Sequence, residues 1–138
     1  MFSHVYIGIQ DFERAHRFYK ALMDLLGNEP RFHNAEQGWA GWYSAGRTRP
    51  LLVIGKPYDG QPHATGNGQM VALNATSRAQ VQALYEAALA QGGRCDGPPG
   101  LRPHYHPDYY GAYFRDTEGN KLCVVCHSAE HSAEHIAE

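Results

Sequence analysis

The sequence has few of the features that mark a particular class of protein. Cysteine occurs only three times in 138 residues, which is too few for a disulfide framework. No apolar run approaches the roughly 20 residues that span a bilayer, so we expect no membrane segment. The net charge is −2, and acidic and basic residues are mixed along the chain. This balance predicts neither a nucleic-acid partner nor an anionic membrane surface as a partner.

The chain is nevertheless rich enough in apolar residues to fold. They make up 43% of the sequence, which is sufficient for one domain or two small fused halves. The first residues contain neither the basic segment nor the long apolar segment of an export signal. Together with the odd number of cysteines, this predicts a cytoplasmic protein with reduced thiols.

One short motif near the end of the chain suggests a haem protein. Residues 123–127 read C-V-V-C-H, which is the C-x-x-C-H pattern of covalent haem attachment. The motif falls in a predicted strand, where alternate side chains point to opposite faces. Cys123 and Cys126 would then lie on opposite faces, whereas both thiols must reach one haem. We therefore expect no haem.

The hydrophobic pattern of residues 1–56 predicts one β-α-β-β-β module. Asp11 is a suitable N-cap for the helix, and Gly27 is a suitable residue to end it. The predicted elements are a strand at 4–10, the helix between these two residues, and strands near 30–34, 38–44 and 50–56. A linker rich in proline, glycine, asparagine and aspartate follows at 57–68.

The same order of elements recurs over residues 69–127. Ser77 and Gln80 form a capping-box pattern for a second helix. The predicted elements are a strand at 69–75, this helix, a short piece near Cys95, and strands at 109–116 and 120–127. An offset of 65 places His4 on Gln69 without a gap. The repeat predicts an α+β fold in which two tandem β-α-β-β-β modules form a curved, cup-like sheet.

Three stretches of the chain resemble a known superfamily. They are HVYIGIQDFERAHRFYKALMDLLG, VQALYEAALAQGG and YYGAYFRDTEGNKLCVV, and the last is similar to the ending Y-x-x-F-x-D-P-D-G-N-x-I-E-x-V. The chain thus resembles the vicinal oxygen chelate superfamily of glyoxalase I, bleomycin-resistance proteins and extradiol dioxygenases. The resemblance covers residues 1–128 and implies one glyoxalase-like domain, a homodimer and a small-molecule ligand or substrate.

The resemblance also implies a metal site in the cleft, with ligands on the first and last strands of each module. His4 matches a ligand on the first strand, and Gln69 stands at the corresponding place in the second module. Val53 stands on the last strand of the first module and cannot bind a metal. Cys123 stands where the family pattern has glutamate. The implied ligands are therefore His4, Gln69 and Cys123, with one divalent ion (Zn, Ni, Fe or Mn) as cofactor.

The loop RPHYHPDYY at residues 102–110 is the richest polar and aromatic segment. His106 and Tyr110 are the candidates for proton transfer, and His104 is a candidate ligand contact. The alternative is a rigid loop whose rings pack on the rim of the sheet.

Trp42 and Tyr43 in the strand GWAGWYS are further candidates for contact with the ligand, and the alternative is that they belong to the core. Residues 127–138 repeat H-S-A-E, and in the tail at 128–138 His131 and His135 would align on a helix and bind a metal weakly. The alternative there is a solvated terminus.

Two hypotheses for function follow. In the first, the protein is a lyase or dioxygenase acting on a small oxygenated or thiol-adduct metabolite through an altered metal site. In the second, the metal is absent and the cleft binds a small, partly aromatic molecule, as resistance-type proteins do. The cleft would form within one chain or across a dimer.

Overall fold

The computed structural model describes residues 1–130 and shows two helices and eight strands in them. The predicted tail positions His131 and His135 lie outside the described residues. The strands are β1 (His4–Gly8), β2 (Pro30–Asn34), β3 (Trp39–Ser44), β4 (Arg47–Gly55), β5 (Val71–Asn74), β6 (Arg94–Leu101), β7 (Tyr110–Arg115) and β8 (Lys121–Cys126), and the helices are α1 (Phe12–Leu26) and α2 (Arg78–Ala90). Neither of these helices is long and apolar enough to cross a membrane.

The strands form two sheets of four with the same topology. Their orders are β1-β4-β3-β2 and β5-β8-β7-β6. In each sheet the first strand pairs in parallel with the last, and the other described pairs are antiparallel. The predicted α+β fold of two β-α-β-β-β modules is confirmed.

The helix ends follow the capping chemistry of the sequence. Asp11 accepts a hydrogen bond from the Arg14 backbone N–H, and Gly27 ends α1 with a left-handed φ of 73°. Ser77 accepts a hydrogen bond from the Gln80 N–H at the start of α2. The Gln80 side chain in turn accepts one from the Thr76 N–H, one residue before the cap.

β6 differs most from the sequence expectation. It runs for eight residues, where the sequence predicted only a short piece near Cys95. The prolines Pro98 and Pro99 concealed it, since proline cannot donate a ladder hydrogen bond. They are tolerated because β6 is an edge strand whose register with β7 shifts twice across this stretch.

The two modules share one hydrophobic core on the sides of the sheets that carry the helices. α1 and α2 pack against each other, and buried residues of both sheets belong to a single cluster. The Phe18 ring of α1 lies 6.3 Å from the Phe114 ring of β7, centre to centre, which joins the modules directly. We call the opposite faces, which carry neither α1 nor α2, the free faces of the sheets, and Val53 and Cys123 are buried there, outside this cluster.

Matching hydrogen bonds give the true offset between the modules. The Ile9 N–H donates to Gly55 O, and the Ala75 N–H donates to Val125 O. The first strands therefore differ by 66 residues (75 − 9) and the last strands by 70 (125 − 55). The gap-free offset of 65 was one residue short, so the structural counterpart of His4 is Met70.

A buried carboxylate joins the second module to α1. Asp116 is only 4% exposed and accepts four hydrogen bonds. Its Oδ1 accepts from the backbone N–H groups of Glu118 and Asn120, and its Oδ2 accepts from the Asn120 amide and from Tyr19 Oη at 2.5 Å. The Asn120 amide also donates to Gly8 O in β1. The β7–β8 turn is thereby fixed against the first module.

Replacing Tyr19 with phenylalanine should test this connection. The ring still fills its buried place, but the hydrogen bond to a charged group is lost, so we expect a stability loss of about 2 kcal/mol. Urea unfolding measures it, with Tyr58→Phe as control because Tyr58 is fully exposed. Equal stability of the two variants would contradict the role given to Tyr19.

Candidate functional site

The alternation of side chains along β8 separates the two cysteines. Cys126 belongs to the core on the helix side, whereas Cys123 is buried on the opposite face, outside that cluster. This confirms the geometry that argued against haem. The free face of the sheet that carries Cys123 is where polar side chains gather.

Two connected depressions run along the free faces of the sheets. The larger has a volume of about 1050 Å³ and the smaller about 680 Å³. Gln69, Met70 and Lys121 line both, so we treat them as one groove. Its two parts differ in chemistry, and we call them the tryptophan end and the tyrosine end.

The tryptophan end is lined by Tyr6, Trp39 and Tyr58, together with polar groups such as Asn120. Tyr6 Oη donates to Lys56 O at 2.6 Å, and its ring lies over Gly55, where any Cβ would collide with it. Burial of the phenol raises the pKa of Tyr6. This end presents broad, half-exposed aromatic surfaces to a ligand.

The tyrosine end is defined by Tyr105, His106, Tyr109, Tyr113, Lys121 and His127. Its floor is a chain of hydrogen bonds on β7 and β8. Tyr113 pairs with Cys123 across the strands, and Tyr109 Oη lies 2.9 Å from Tyr113 Oη and 3.6 Å from Cys123 Sγ. Tyr109 therefore covers the thiol and connects it to the second hydroxyl.

These groups are held in their neutral forms. Burial raises the pKa of Cys123, although the two tyrosine hydroxyls and the charges of Arg102 and Lys121 oppose the effect. Burial also raises the pKa of Tyr109 strongly, and that of Tyr113 as well. Cys123 is thus a protonated, fully buried thiol, and a metal ligand or nucleophile needs the thiolate.

His106 and His127 form a hydrogen-bonded pair beside this floor. His106 Nε2 lies 2.8 Å from His127 Nδ1. The Asp108 N–H donates to His106 Nδ1, so that nitrogen carries no proton. His106 must then donate from Nε2, and His127 accepts at Nδ1. In this tautomer His127 carries its hydrogen on Nε2, and among residues 1–130 no acceptor lies within hydrogen-bond distance of that nitrogen.

The predicted metal ligands do not form a site in this chain. His4 lies exposed at the start of β1, bonded to Ser3 Oγ at 2.9 Å, and lines neither part of the groove. Gln69 precedes β5 and lines the groove, while Cys123 lies beneath Tyr109. Within residues 1–130, no three His, Cys, Asp or Glu side chains are grouped so that they could hold a metal ion. The donor set does not fit a divalent metal.

The other predicted site residues lie in several places. His106 lines the tyrosine end, but Tyr110 faces the helix side, where its Oη accepts from Gln82 Nε2 at 2.7 Å. The His104 ring packs against the Tyr105 ring at a tilt of 44°, with the ring centres 4.3 Å apart, and His104 does not line the groove. Trp42 is buried in the core at 2% exposure, and the half-buried Tyr43 lines a separate shallow depression beside Gly27.

Sequence reasoning missed Tyr109 and Tyr113. Both lie on the Cys123 face, and the alternation rule would have found Tyr113 once the register of β7 and β8 was known. That register depends on the length of the turn at Asp116, which no periodicity shows. Tyr109 was passed over for its neighbour Tyr110, which points the other way.

Comparison with known proteins now places the fold. The model of the Glyoxalase/Bleomycin resistance protein/Dioxygenase superfamily matches residues 1–124. This chain belongs to that superfamily. It is similar to a glyoxalase/bleomycin resistance protein from Albidiferax ferrireducens T118, with 37% identity and a TM-score of 0.81, over 91% of this chain and 98% of that one. No curated protein matches the sequence.

More distant structures share the fold alone. A putative glyoxalase from Bacillus halodurans has 22% identity and a TM-score of 0.67, over 91% of this chain and 95% of that one. Lactoylglutathione lyase from Agrobacterium tumefaciens has 17% identity and a TM-score of 0.61, over 91% of this chain and 92% of that one. At such identities the shared fold does not transfer an activity.

Labelling of the thiols should show the state of Cys123. In the native protein, dithionitrobenzoate should modify Cys95 rapidly, because it is exposed, while Cys123 and Cys126 should react only on unfolding. Cys95→Ser should abolish the rapid phase. A rapid thiol that persists in that variant and disappears in Cys95→Ser/Cys123→Ser would contradict a buried Cys123.

Proposed function

We propose that this superfamily member binds a small, partly aromatic molecule in the groove and does so without a metal ion. The observation that carries the proposal is the state of Cys123. At the position where the family pattern has glutamate, the chain has a buried, protonated thiol covered by the Tyr109 hydroxyl.

The remaining ligand positions support the same conclusion. Val53 has no donor atom, and the structural counterpart of His4 is the thioether of Met70 rather than an imidazole or carboxylate. Divalent metals of the Lewis-acid type prefer carboxylate, imidazole and water oxygen. Only His4 supplies such a group, and it lies exposed on the other sheet.

The groove itself supports a ligand of aromatic character. Trp39 is 40% exposed and Tyr6 is 49% exposed, and both line the large depression on the sheet face. Apolar rings left half-exposed around a concavity with a few polar groups are typical of small-molecule sites. Gln69 and Asn120 supply hydrogen-bonding groups between the rings.

Metal content separates this proposal from a metal-dependent lyase or dioxygenase. The protein should be purified without metal affinity, as a variant ending at Ser128 so that the histidines of the tail are absent. We expect far less than one Zn, Ni, Mn or Fe per chain, and no change of melting temperature when these ions are added. Stoichiometric metal that is lost in His4→Ala would contradict the proposal.

Binding of a neutral aromatic probe tests the groove directly. N-phenylnaphthylamine should bind with enhanced fluorescence, and Trp39→Ala should weaken binding roughly three- to tenfold, the value of one aromatic stacking contact. Leu89→Ala is the control, because Leu89 is similarly exposed on α2, away from the groove. Equal affinity of the wild type and Trp39→Ala would place the binding surface elsewhere.

A further inference from the structure

Resting on the proposed function, we infer that the tyrosine end of the groove binds an oxyanion of the ligand, a carboxylate or a phosphate attached to its aromatic part. The juxtaposition that carries this is a cluster of three cations around Tyr113 with one carboxylate among them. Nothing in the membership of the superfamily assigns a role to this cluster.

The balance of charge is the first observation. Arg115 Nε and Lys121 Nζ both contact the same oxygen of Asp96, at 3.1 and 3.5 Å. Arg102 adds a third cation, and its two NH groups donate to the neutral carbonyl oxygens of Gly100 and Pro98. Among residues 1–130, Asp96 is the carboxylate that forms salt bridges in this cluster of three positive charges, in a chain whose net charge is −2.

The cations surround the tyrosine ring that faces the groove. The Arg102 guanidinium and the Lys121 ammonium each lie 5.5 Å from the centre of the Tyr113 ring. The side chains of Arg115 and Lys121 are about one-third exposed, at 31% and 33%. Because water screens such half-buried cations incompletely, a bound anion gains more from them than from fully exposed lysines.

Hydrogen-bond donors point to the same place. The protonated Cys123 can donate to Tyr109 Oη, and Tyr109 can then donate to Tyr113 Oη, at 2.9 Å. This direction leaves the Tyr113 hydroxyl hydrogen for a ligand. The tautomer of His106 places a hydrogen on His127 Nε2, and no acceptor for it lies among the residues that the structure describes. A cationic side chain with neutral O–H and N–H donors is the usual environment of a bound oxyanion.

The same residues disfavour a positively charged ligand group. The tyrosine end is lined by Lys121, Arg115 and several donor groups, and the Asp96 carboxylate is already shared by these two cations. A ligand ammonium group would therefore meet two like charges and find its acceptor occupied. An oxyanion would instead meet two positive charges and hydrogen-bond donors. The ligand would therefore lie with its anionic group at the tyrosine end and its aromatic part at the tryptophan end.

Two matched probes test the inference. Anilinonaphthalene sulfonate and N-phenylnaphthylamine share a ring system, and only the first carries an anionic group. The wild type should bind the sulfonate more tightly, and Lys121→Gln should weaken that binding about tenfold, as for the loss of one charge-assisted hydrogen bond. Binding of the neutral probe should be unchanged. Lys20→Gln, exposed on α1 and absent from the lining of the groove, is the control for net charge.

A second variant covers the case in which Lys121→Gln alters folding. Tyr113→Phe keeps the ring that both cations contact and removes only the hydroxyl. It too should weaken binding of the sulfonate and spare the neutral probe. Displacement of the sulfonate by benzoate, by phenyl phosphate and by neutral benzamide then identifies the anion class, and we expect benzamide to fail.

The outcomes distinguish the two proposals. If both probes bind with a dependence on Trp39 but neither depends on Lys121 or Tyr113, the oxyanion site is wrong and the aromatic groove stands. If neither probe depends on Trp39, the groove proposal is wrong. If benzamide displaces the sulfonate as well as benzoate does, the charge cluster plays no part in recognition.

Discussion

The fold depends on the carboxylate of Asp116 and the groups that surround it. A buried charge is costly unless hydrogen bonds replace its hydration, and here four donors do so. Three of them come from the β7–β8 turn itself, and the fourth is the Tyr19 hydroxyl of α1. One side chain therefore closes a tight turn and fixes it against the other module. Because a buried carboxylate without these donors would destabilise the fold, the turn and its contact with α1 are expected to form together.

The geometry of the groove depends on the β7–β8 turn. The turn sets the register of β7 against β8, and a slip of one residue would move every side chain of a strand to the opposite face. In the observed register Tyr113 lies opposite Cys123 and Arg115 lies opposite Lys121. The neutral hydrogen-bonded floor and the cations of the tyrosine end thus share one structural cause. The bond from Asn120 to Gly8 O holds the first sheet beside them, so that Gln69 and Lys121 lie where the two parts of the groove meet.

The sequence predicted what depends on local pattern and missed what depends on register. Helix ends at Asp11, Gly27 and Ser77 could be read because capping chemistry acts within a few residues. The repeat was visible, but its offset was short by one residue, because weak identity does not fix the alignment of a strand of four or five residues. This error of one residue made Gln69, rather than Met70, the position in the second module that is equivalent to His4. Tyr110 was preferred to Tyr109 without knowledge of which way either side chain points; the structure places Tyr110 against Gln82 on the helix side, and its role in proton transfer stays a prediction.

The environment of Cys123 decides how the departure from the family pattern is understood. A thiol that replaced a carboxylate and kept its role would need an open approach and neighbours that favour the thiolate. Instead, the thiol is fully buried and contacts the Tyr109 hydroxyl, which in turn contacts the Tyr113 hydroxyl. Within residues 1–130, the cations Arg115 and Lys121 form their salt bridges with the single carboxylate of Asp96. At this face the chain has a neutral thiol where the family pattern has glutamate, and two cations beside Tyr113 share one carboxylate. This balance of charge is the physical reason why we propose an oxyanion, rather than a metal ion, as the group that the groove binds.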